Sequence, residues 1–506
     1  MTRGRTGVLA VLAVAGLGTA GASPAVAETT VKDYVKGLSG YNYDATWSAA
    51  DRVPEASTRR GDYQMIGIPD GLGARAFPAS RRGPSGALTF MNHELGNTTT
   101  SEPSVGGPLN RGAFVSALAQ NGQGDVLTGR RAYDKVFVEN TLVGPAAEAD
   151  NPATPEVEGN NTPGFGRFCS GGLWGREVGF DRDIYLTGEE SGGSQNFDGK
   201  GGEEVAIFNN ELHALPDMLH FNWENVIVLP NTGRKTVIIG LEDGPSGANS
   251  QLYMWVGQKN PNASDVLDRN GLLNGDNYVL KGDTNTSEVD FQSGSADFHW
   301  VKLPEEAKQD TDTQLEARVD ALGAFGFVRI EDGAGSKTHS GEAFFNTTGG
   351  STGNMLGRIY RFRQLPDGGV RLTILQNADT IVAAGGDTAL SPDNMDINDQ
   401  GQLMVQEDGT AQTRPVMAAK GRDGSIWSFQ TEGPNLSPQR VAELTPPGRD
   451  GVPVPPGEWE TSGIIDASAA FGPGAWLLDV QAHPPTAMPA PFTVEDGQLG
   501  ILRAPQ

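Results

Sequence analysis

The chain has little sulfur chemistry: one cysteine, Cys169, in 506 residues. An internal disulfide is therefore excluded, and a large exported protein must be stabilised by its core, with metals as a further option. Positive charge is also short. Lys and Arg number 38 against 63 Asp and Glu, for a net charge of −25. That excludes a broad basic face for nucleic-acid phosphates or an anionic bilayer. No apolar run after the first 27 residues is long enough to span a membrane. The chain has no P-loop, no His-Glu-x-x-His and no EF-hand spacing, and there is no sign of a serine elbow leading from a strand into a helix, so no protein nucleophile is evident. A twin arginine is missing from the N-terminus as well, and nothing there signals export in the folded state.

What is present begins with a leader. Arg3 and Arg5, the apolar run Val8 to Leu17 and the small residues Ala25-Val26-Ala27 read as a secretory signal over residues 1–27. The mature protein then begins near Glu28, is secreted, and forms a single domain over residues 28–506. With 69 Gly and 32 Pro, and strand-like runs recurring to the end, it reads as all-β. Val31 to Leu38 is expected to form a short helix, and Glu305 to Leu322 the one long helix. Thr445 to Glu458, Pro484 to Pro491 and the acidic stretch Asp276 to Asp297 are expected as loops.

Apolar runs repeatedly stop at acids or histidine. Leu88 to Met91 leads to Asn92-His93-Glu94, and Ile184 to Thr187 to Glu189-Glu190. Thr236 to Leu241 leads to Glu242-Asp243, Phe325 to Ile330 to Glu331-Asp332, Leu403 to Gln406 to Glu407-Asp408, and Trp476 to Gln481 to His483. Several are followed, after a glycine-rich turn, by a strand with aromatics: Leu252 to Val256, Arg358 to Phe362 and Ser425 to Phe429. This irregular unit predicts a β-propeller with long inserted loops and a few short helices, in which inner strands bring distant acids to one axis. Cys169 lies within the small-residue turn Cys169-Ser170-Gly171-Gly172, upstream of Glu189-Glu190. Thiolate and carboxylate are both anionic ligands, so a metal site is the sharp reading, with a buried inert thiol as the bland one. His93 and His483 are candidates to support a ligand or move a proton. His213, His220, His299 and His339 have no mutual metal-motif spacing and read as core or surface residues.

These segments, taken in order, resemble the PhoX-type alkaline phosphatases (DUF839). Leu88 to Glu94 is similar to the family's strand ending Asn-His-Glu. Cys169 to Gly172, Trp174-Gly175 and Leu186 to Glu190 resemble its cysteine segment and the acid pair that follows. Gly341 to Phe362, Ser391 to Asn394, Leu403 to Gly409, Glu460 to Gly463 and Val480 to Pro484 are similar to its later motifs. The resemblance implies a six-bladed propeller carrying a cluster of Fe3+ and Ca2+, with Cys169 on iron. Carried over residue by residue, it points to Glu94, Glu190, Glu331, Asp393, Asp408 and Glu460 as further ligands. The strand-end pattern adds Glu189, Glu242, Asp243 and Glu407. The chain departs from the family at the spacing around Cys169, at His483, which sits one residue further along, and in the short loop before Gly357.

The expected activity is hydrolysis of small phosphate monoesters by a monomeric enzyme, through metal-activated oxygen attack. Cys169, Glu94, Glu190 and His483 are the expected catalytic set. Arg358 and Arg361 are candidate phosphate-binding cations, although both read equally as surface strand residues. The rivals are a calcium-stabilised binding propeller with no activity, and a calcium-only phytase-like or lactonase enzyme.

Overall fold

Runs of β-branched and aromatic residues alternating with glycine turns give strands that pair almost wholly antiparallel with their sequence neighbours. The computed structural model describes residues 29–56, 61–79, 85–145, 163–245, 247–432, 437–483 and 493–505. The leader at 1–27, residues 160–162 and the Pro484 to Pro491 loop lie outside the described residues.

The protein is mostly β-sheet. A four-stranded sheet begins at its edge strand Pro69–Phe77, and a six-stranded sheet at Phe168–Trp174. A nine-stranded sheet runs out from Trp223–Val228 and back to Ile330–Gly335, so that its two edge strands touch and nearly close it. A five-stranded sheet begins at Pro392–Ile397 and a four-stranded one at Glu460–Asp466. These six edge strands form a ring of neighbours, each packed on the next in sequence order, with Glu460–Asp466 returning to Pro69–Phe77. The chain ends lock the ring. Asn42–Ser48 pairs with the C-terminal strand Asp496–Arg503, and Val35–Gly37 pairs with Gln439–Leu444.

Apolar layers fill the spaces between successive sheets. Phe114, Val115 and Ala117 pack on Phe168, Tyr185 and Val205, while Ile184 and Leu186 pack on Trp223, Val226 and Tyr253. Phe344 and Ile359 meet Met395, Leu403 and Trp427, and the last layer sets Leu477 and Ile501 against Leu72 and Met91. Truncating a fully buried aromatic in such a layer costs ~3–5 kcal/mol. The edge strands and the groups they carry are therefore held by packing from both sides.

Several local expectations change. Val31 to Leu38 is not helical: Val35–Gly37 is a strand, because its backbone groups complete the edge at Leu444, Glu443 and Ala442. The expected long helix is broken. Glu305–Gln309 is a 3-10 turn, and the α-helix is Asp312–Leu322, because Thr311 takes extended angles and caps it in a capping box with Gln314. The acidic stretch is not all loop, since it begins and ends in the strands Asp276–Gly282 and Ser295–Lys302. Glu331 and Asp332 do not end a strand but open one, Ile330–Gly335. The segment Thr445 to Glu458 is loop as expected. The aromatic strands Leu252–Gln258, Arg358–Gln364 and Ser425–Gln430 are each third from the edge of their sheet.

Candidate metal centre

In an antiparallel pair the start of one strand meets the end of its partner. Each edge strand therefore delivers a residue from its beginning to the place where the second strand finishes. The edge strands give Asp70, Cys169, Glu224, Glu331, Asp393 and Glu460. The second strands end at or just before Glu94, Glu190, Asp243, Asp408 and His483. Each edge strand also shifts register near its start: between Asp70 and Leu72, Phe168 and Gly171, Trp223 and Asn225, Ile330 and Gly333, Pro392 and Met395, and Ser462 and Ile464. A bulge leaves a residue out of the ladder and re-aims its side chain. Cys169, Glu224, Glu331 and Asp393 lie within these interruptions.

The result is one continuous group of donor atoms. Asp70, Glu94 and Cys169 offer atoms within 4.8 Å of one another, as do Cys169, Glu190 and Glu224, and also Glu224, Glu331 and Asp393. Shared members join the three. The Cys169 thiol donates to Asp70 Oδ2 at 3.2 Å. Ser170 Oγ donates to Glu224 Oε1 at 2.7 Å and accepts from Asn394 Nδ2 at 2.8 Å. Gln481 Nε2 donates to both Asp70 Oδ2, at 3.0 Å, and Glu94 Oε2, at 2.9 Å. Asn92 fixes the cysteine turn, donating to the Cys169 carbonyl at 2.7 Å and to Thr187 Oγ1 at 2.9 Å.

Two guanidiniums answer this negative charge. Arg167 reaches Glu94 at 2.6 Å and Glu190 at 2.7 Å. Arg329 holds Asp243 through two bonds of 2.9 Å and lies 3.1 Å from Glu331. Glu94 and Glu190 hold Arg167 above its ordinary pKa; burial works against Arg329, but Glu331 and Asp243 raise it. Their side chains are 49% and 34% exposed, so both line the mouth of the group rather than its floor.

Two positive groups do not balance the set. Burial, and then neighbouring acids, push Glu224, Glu331, Asp393 and Glu460 well above the usual carboxylate range. Burial and the Glu94 charge push Asp70 up to about 7. Burial, then Asp70 and Glu224, push the Cys169 thiol up. Glu224 Oε2 and Asp393 Oδ1 are buried with no hydrogen-bond partner. Buried charge without a partner is costly, and metal coordination relieves it. The donor set of one thiol and many carboxylates thus fits multivalent cations.

Other expected residues lie elsewhere. Side chains alternate along a strand, so in an acid pair only one member faces the axis. Glu189 turns back to accept from the amides of Gly166, at 2.8 Å, and Phe197, at 2.9 Å. Glu242 accepts from the Gln251 amide at 2.8 Å. Glu407 is gripped by Arg422 at 2.7 and 2.8 Å, with Trp427 Nε1 at 3.0 Å. Arg358 is buried, not on the surface, and donates to the carbonyls of Glu288, Phe291 and Gly353. Arg361 donates to the Thr431 carbonyl and lies 3.6 Å from Glu342. Neither arginine appears among the partners of the central acids. His93 bonds Ser116 Oγ at 2.8 Å, and burial lowers its pKa to about 4. His483 bonds Glu495 at 2.6 Å, and its pKa is raised: burial opposes the charge, while Glu495, Glu94 and Asp408 favour it.

Sequence reasoning missed Asp70, Glu224, Arg167 and Arg329. The available signal was position: Asp70 and Glu224 open strands in Pro69-Asp70-Gly71 and Trp223-Glu224-Asn225, and each arginine stands two residues before a central residue, Cys169 or Glu331.

No curated protein sequence matches the chain. The family model described as alkaline phosphatase PhoX matches residues 204–448, a span that includes Glu224, Asp243, Arg329, Glu331, Asp393 and Asp408. The chain is thus a phosphatase by class. Over residues 204–448 it matches the PhoX family of alkaline phosphatases. Its fold is also that of a solved structure, Pseudomonas fluorescens PhoX in complex with vanadate, a transition state analogue. That alignment has a TM-score of 0.62 at 16% identity, covering 94% of this chain and 97% of that one. A luciferin-regenerating enzyme aligns over 65% of this chain and 89% of that chain, at 9% identity and a TM-score of only 0.27.

Proposed function

We propose that the chain is a secreted, monomeric, metal-dependent phosphatase that hydrolyses small phosphate monoesters at the ring of edge strands. The observation that carries this reading is the run of shared donors from Asp70 through Cys169 and Glu224 to Asp393, bordered by two half-exposed guanidiniums. The strand stacks behind the six edge strands, two of them within the nine-stranded sheet, read as the blades of a propeller formed by residues 28–506, and the donor group as the floor of its funnel. Among the described residues no helix is long and apolar enough to cross a membrane.

The donor types divide the cations. Cys169 supplies a thiolate, softer than carboxylate, and with Glu190 and Glu224 favours a transition metal over calcium, which the family resemblance makes Fe3+. The all-oxygen positions Glu331, Asp393, Asp408 and Glu460 suit Ca2+. When bound, such ions supply positive charge for phosphoryl oxygens and lower the pKa of a bound water. The chain's own residues do the rest. Arg167 and Arg329 present planar donors at the mouth and orient an incoming phosphate. Gln481 and Asn394 hold the carboxylates in register. His483, whose pKa is raised by Glu495, Glu94 and Asp408 against its burial, is placed to give a proton to a departing alkoxide.

The test is hydrolysis of an aryl phosphate by protein loaded with iron and calcium, before and after chelation. Activity lost on chelation and restored by both metals supports the reading. Protein that binds calcium and is stabilised by it, yet hydrolyses no phosphate ester, refutes it in favour of a binding propeller.

A further inference from the structure

A second donor group lies outside the central one, where the loop after Glu190 returns to the sheet. Asp198, Glu203 and His220 offer ligand atoms within 4.8 Å of one another. His220 is fully buried, its side chain 0% exposed, and Glu203 nearly so at 2%. His220 Nε2 lies 3.2 Å from Asp198 Oδ2 and 3.5 Å from Glu203 Oε1, yet neither of its ring nitrogens is aligned for a hydrogen bond. Glu203 Oε2 is also buried without a partner. A buried imidazole set between two carboxylates at 3.2 and 3.5 Å, with no well-aligned hydrogen bond to either, is unusual, because buried polar groups are nearly always well satisfied.

The surroundings are built rather than accidental. Gly201 approaches so closely that a Cβ there would lie 3.1 Å from His220 Cβ, and one at Gly202 would overlap the Glu189 and Phe221 carbonyls. Glu189 accepts from the Glu203 amide at 3.3 Å and so ties this corner to the strand that ends at Glu190. Lys200, 42% exposed, lies 3.4 Å from Asp198 Oδ2. Asp198, 18% exposed, leaves one side open to water.

We propose that Asp198, Glu203 and His220 form a separate site for a divalent transition-metal ion of the zinc type. A neutral imidazole with two carboxylates carries two negative charges, which such an ion neutralises. One nitrogen and two oxygens suit zinc better than calcium, which prefers oxygen alone. Three protein ligands leave a position for water from the Asp198 side. The ion would pin the Ser191 to Gly202 loop, and through it the backbone that presents Glu190. The rival is a metal-free imidazolium held between the two carboxylates, since these raise the His220 pKa to about 9 against its burial.

The experiment uses the full chain. Wild type, Asp198→Asn and His220→Asn are stripped with chelator, equilibrated with Zn2+, freed of excess ion and counted by plasma mass spectrometry. Wild type is expected to hold one zinc per chain more than either variant. Zinc should also raise the wild-type melting temperature by more than that of Asp198→Asn. Cys169→Ala serves as control for the central group and should retain the zinc that the other two lose. If His220→Asn does not fold, Asp198→Asn carries the test, because that carboxylate reaches solvent. Equal zinc content in wild type and Asp198→Asn overturns the proposal and leaves the bare ion pair.

Discussion

The guanidinium of Arg329 clasps the carboxylate of Asp243 through two parallel bonds of 2.9 Å. The pair joins the residue before Ile330–Gly335, at one edge of the nine-stranded sheet, to the residue after Lys235–Glu242, the second strand from its other edge, and it keeps a cation at the mouth of a strongly acidic group. Arg329→Lys keeps the charge and loses the fork. If the fork orients the phosphate as charge develops on it, kcat should fall by about 10²–10³, the loss typical of removing one transition-state donor. Metal content should change little. A variant with wild-type kinetics on an aryl phosphate would remove Arg329 from substrate handling.

Arg422 and Glu407 make the opposite case. Both are buried, and each is the other's main partner. Truncation at Arg422→Ala leaves Glu407 charged and unpaired, which costs ~3–5 kcal/mol. Denaturant unfolding should register that loss while the bound metal per folded chain stays at the wild-type value. Loss of metal with little change in stability would instead make Glu407 a ligand.

The apo protein should weaken as pH rises. Asp70 has its pKa raised from 3.8 to about 7, and Glu190, Glu224, Glu331, Asp393 and Glu460 move in the same direction. Such a carboxyl keeps its proton in the folded state after the unfolded chain has released it. The folded form then binds more protons, so stability declines with pH across the window from about 4 to 7 and beyond. Cations reverse this by taking the place of the protons. The melting temperature of chelator-treated protein should fall steadily between pH 4.5 and 8, whereas that of metal-loaded protein should not. An apo melting temperature that rises over this range would contradict the crowding of acids.

Much of this arrangement is legible in the sequence, and the misses have physical causes. Strand ends such as Leu88 to Glu94 stand out because an apolar run is cut by charge. Which member of Glu189-Glu190, Glu242-Asp243 or Glu407-Asp408 faces the axis depends on pleat phase, which composition does not carry. Asp70 and Glu224 escaped because an acid beside glycine or asparagine at the start of a strand looks like any turn residue. Their role comes from a bulge, a register event between two strands. Arg358 read as a surface or substrate residue because its buried partner, Glu288, lies 70 positions away. The signal segment and the prolines at 484–491 fall outside the described residues.

Gln481 touches two central carboxylates with one amide. Gln481→Leu removes both bonds without adding charge. Residues that orient metal ligands in this way typically contribute about 10–100-fold in affinity. Calorimetric titration of the apo variant should show metal binding weakened by that factor, with the fold intact by circular dichroism. Unchanged affinity would mean that Asp70 and Glu94 are held in place without it.

The most direct measurement of the central claim compares wild type and Cys169→Ala, with iron, calcium and aryl-phosphate hydrolysis determined on the same preparations. Cys169 is the one soft donor among carboxylates, and its side chain is small, so alanine should leave the fold standing. The account predicts an iron-containing, active wild type and a variant that keeps most of its calcium but loses iron and nearly all activity. Equal iron and equal rates in the two proteins would contradict it.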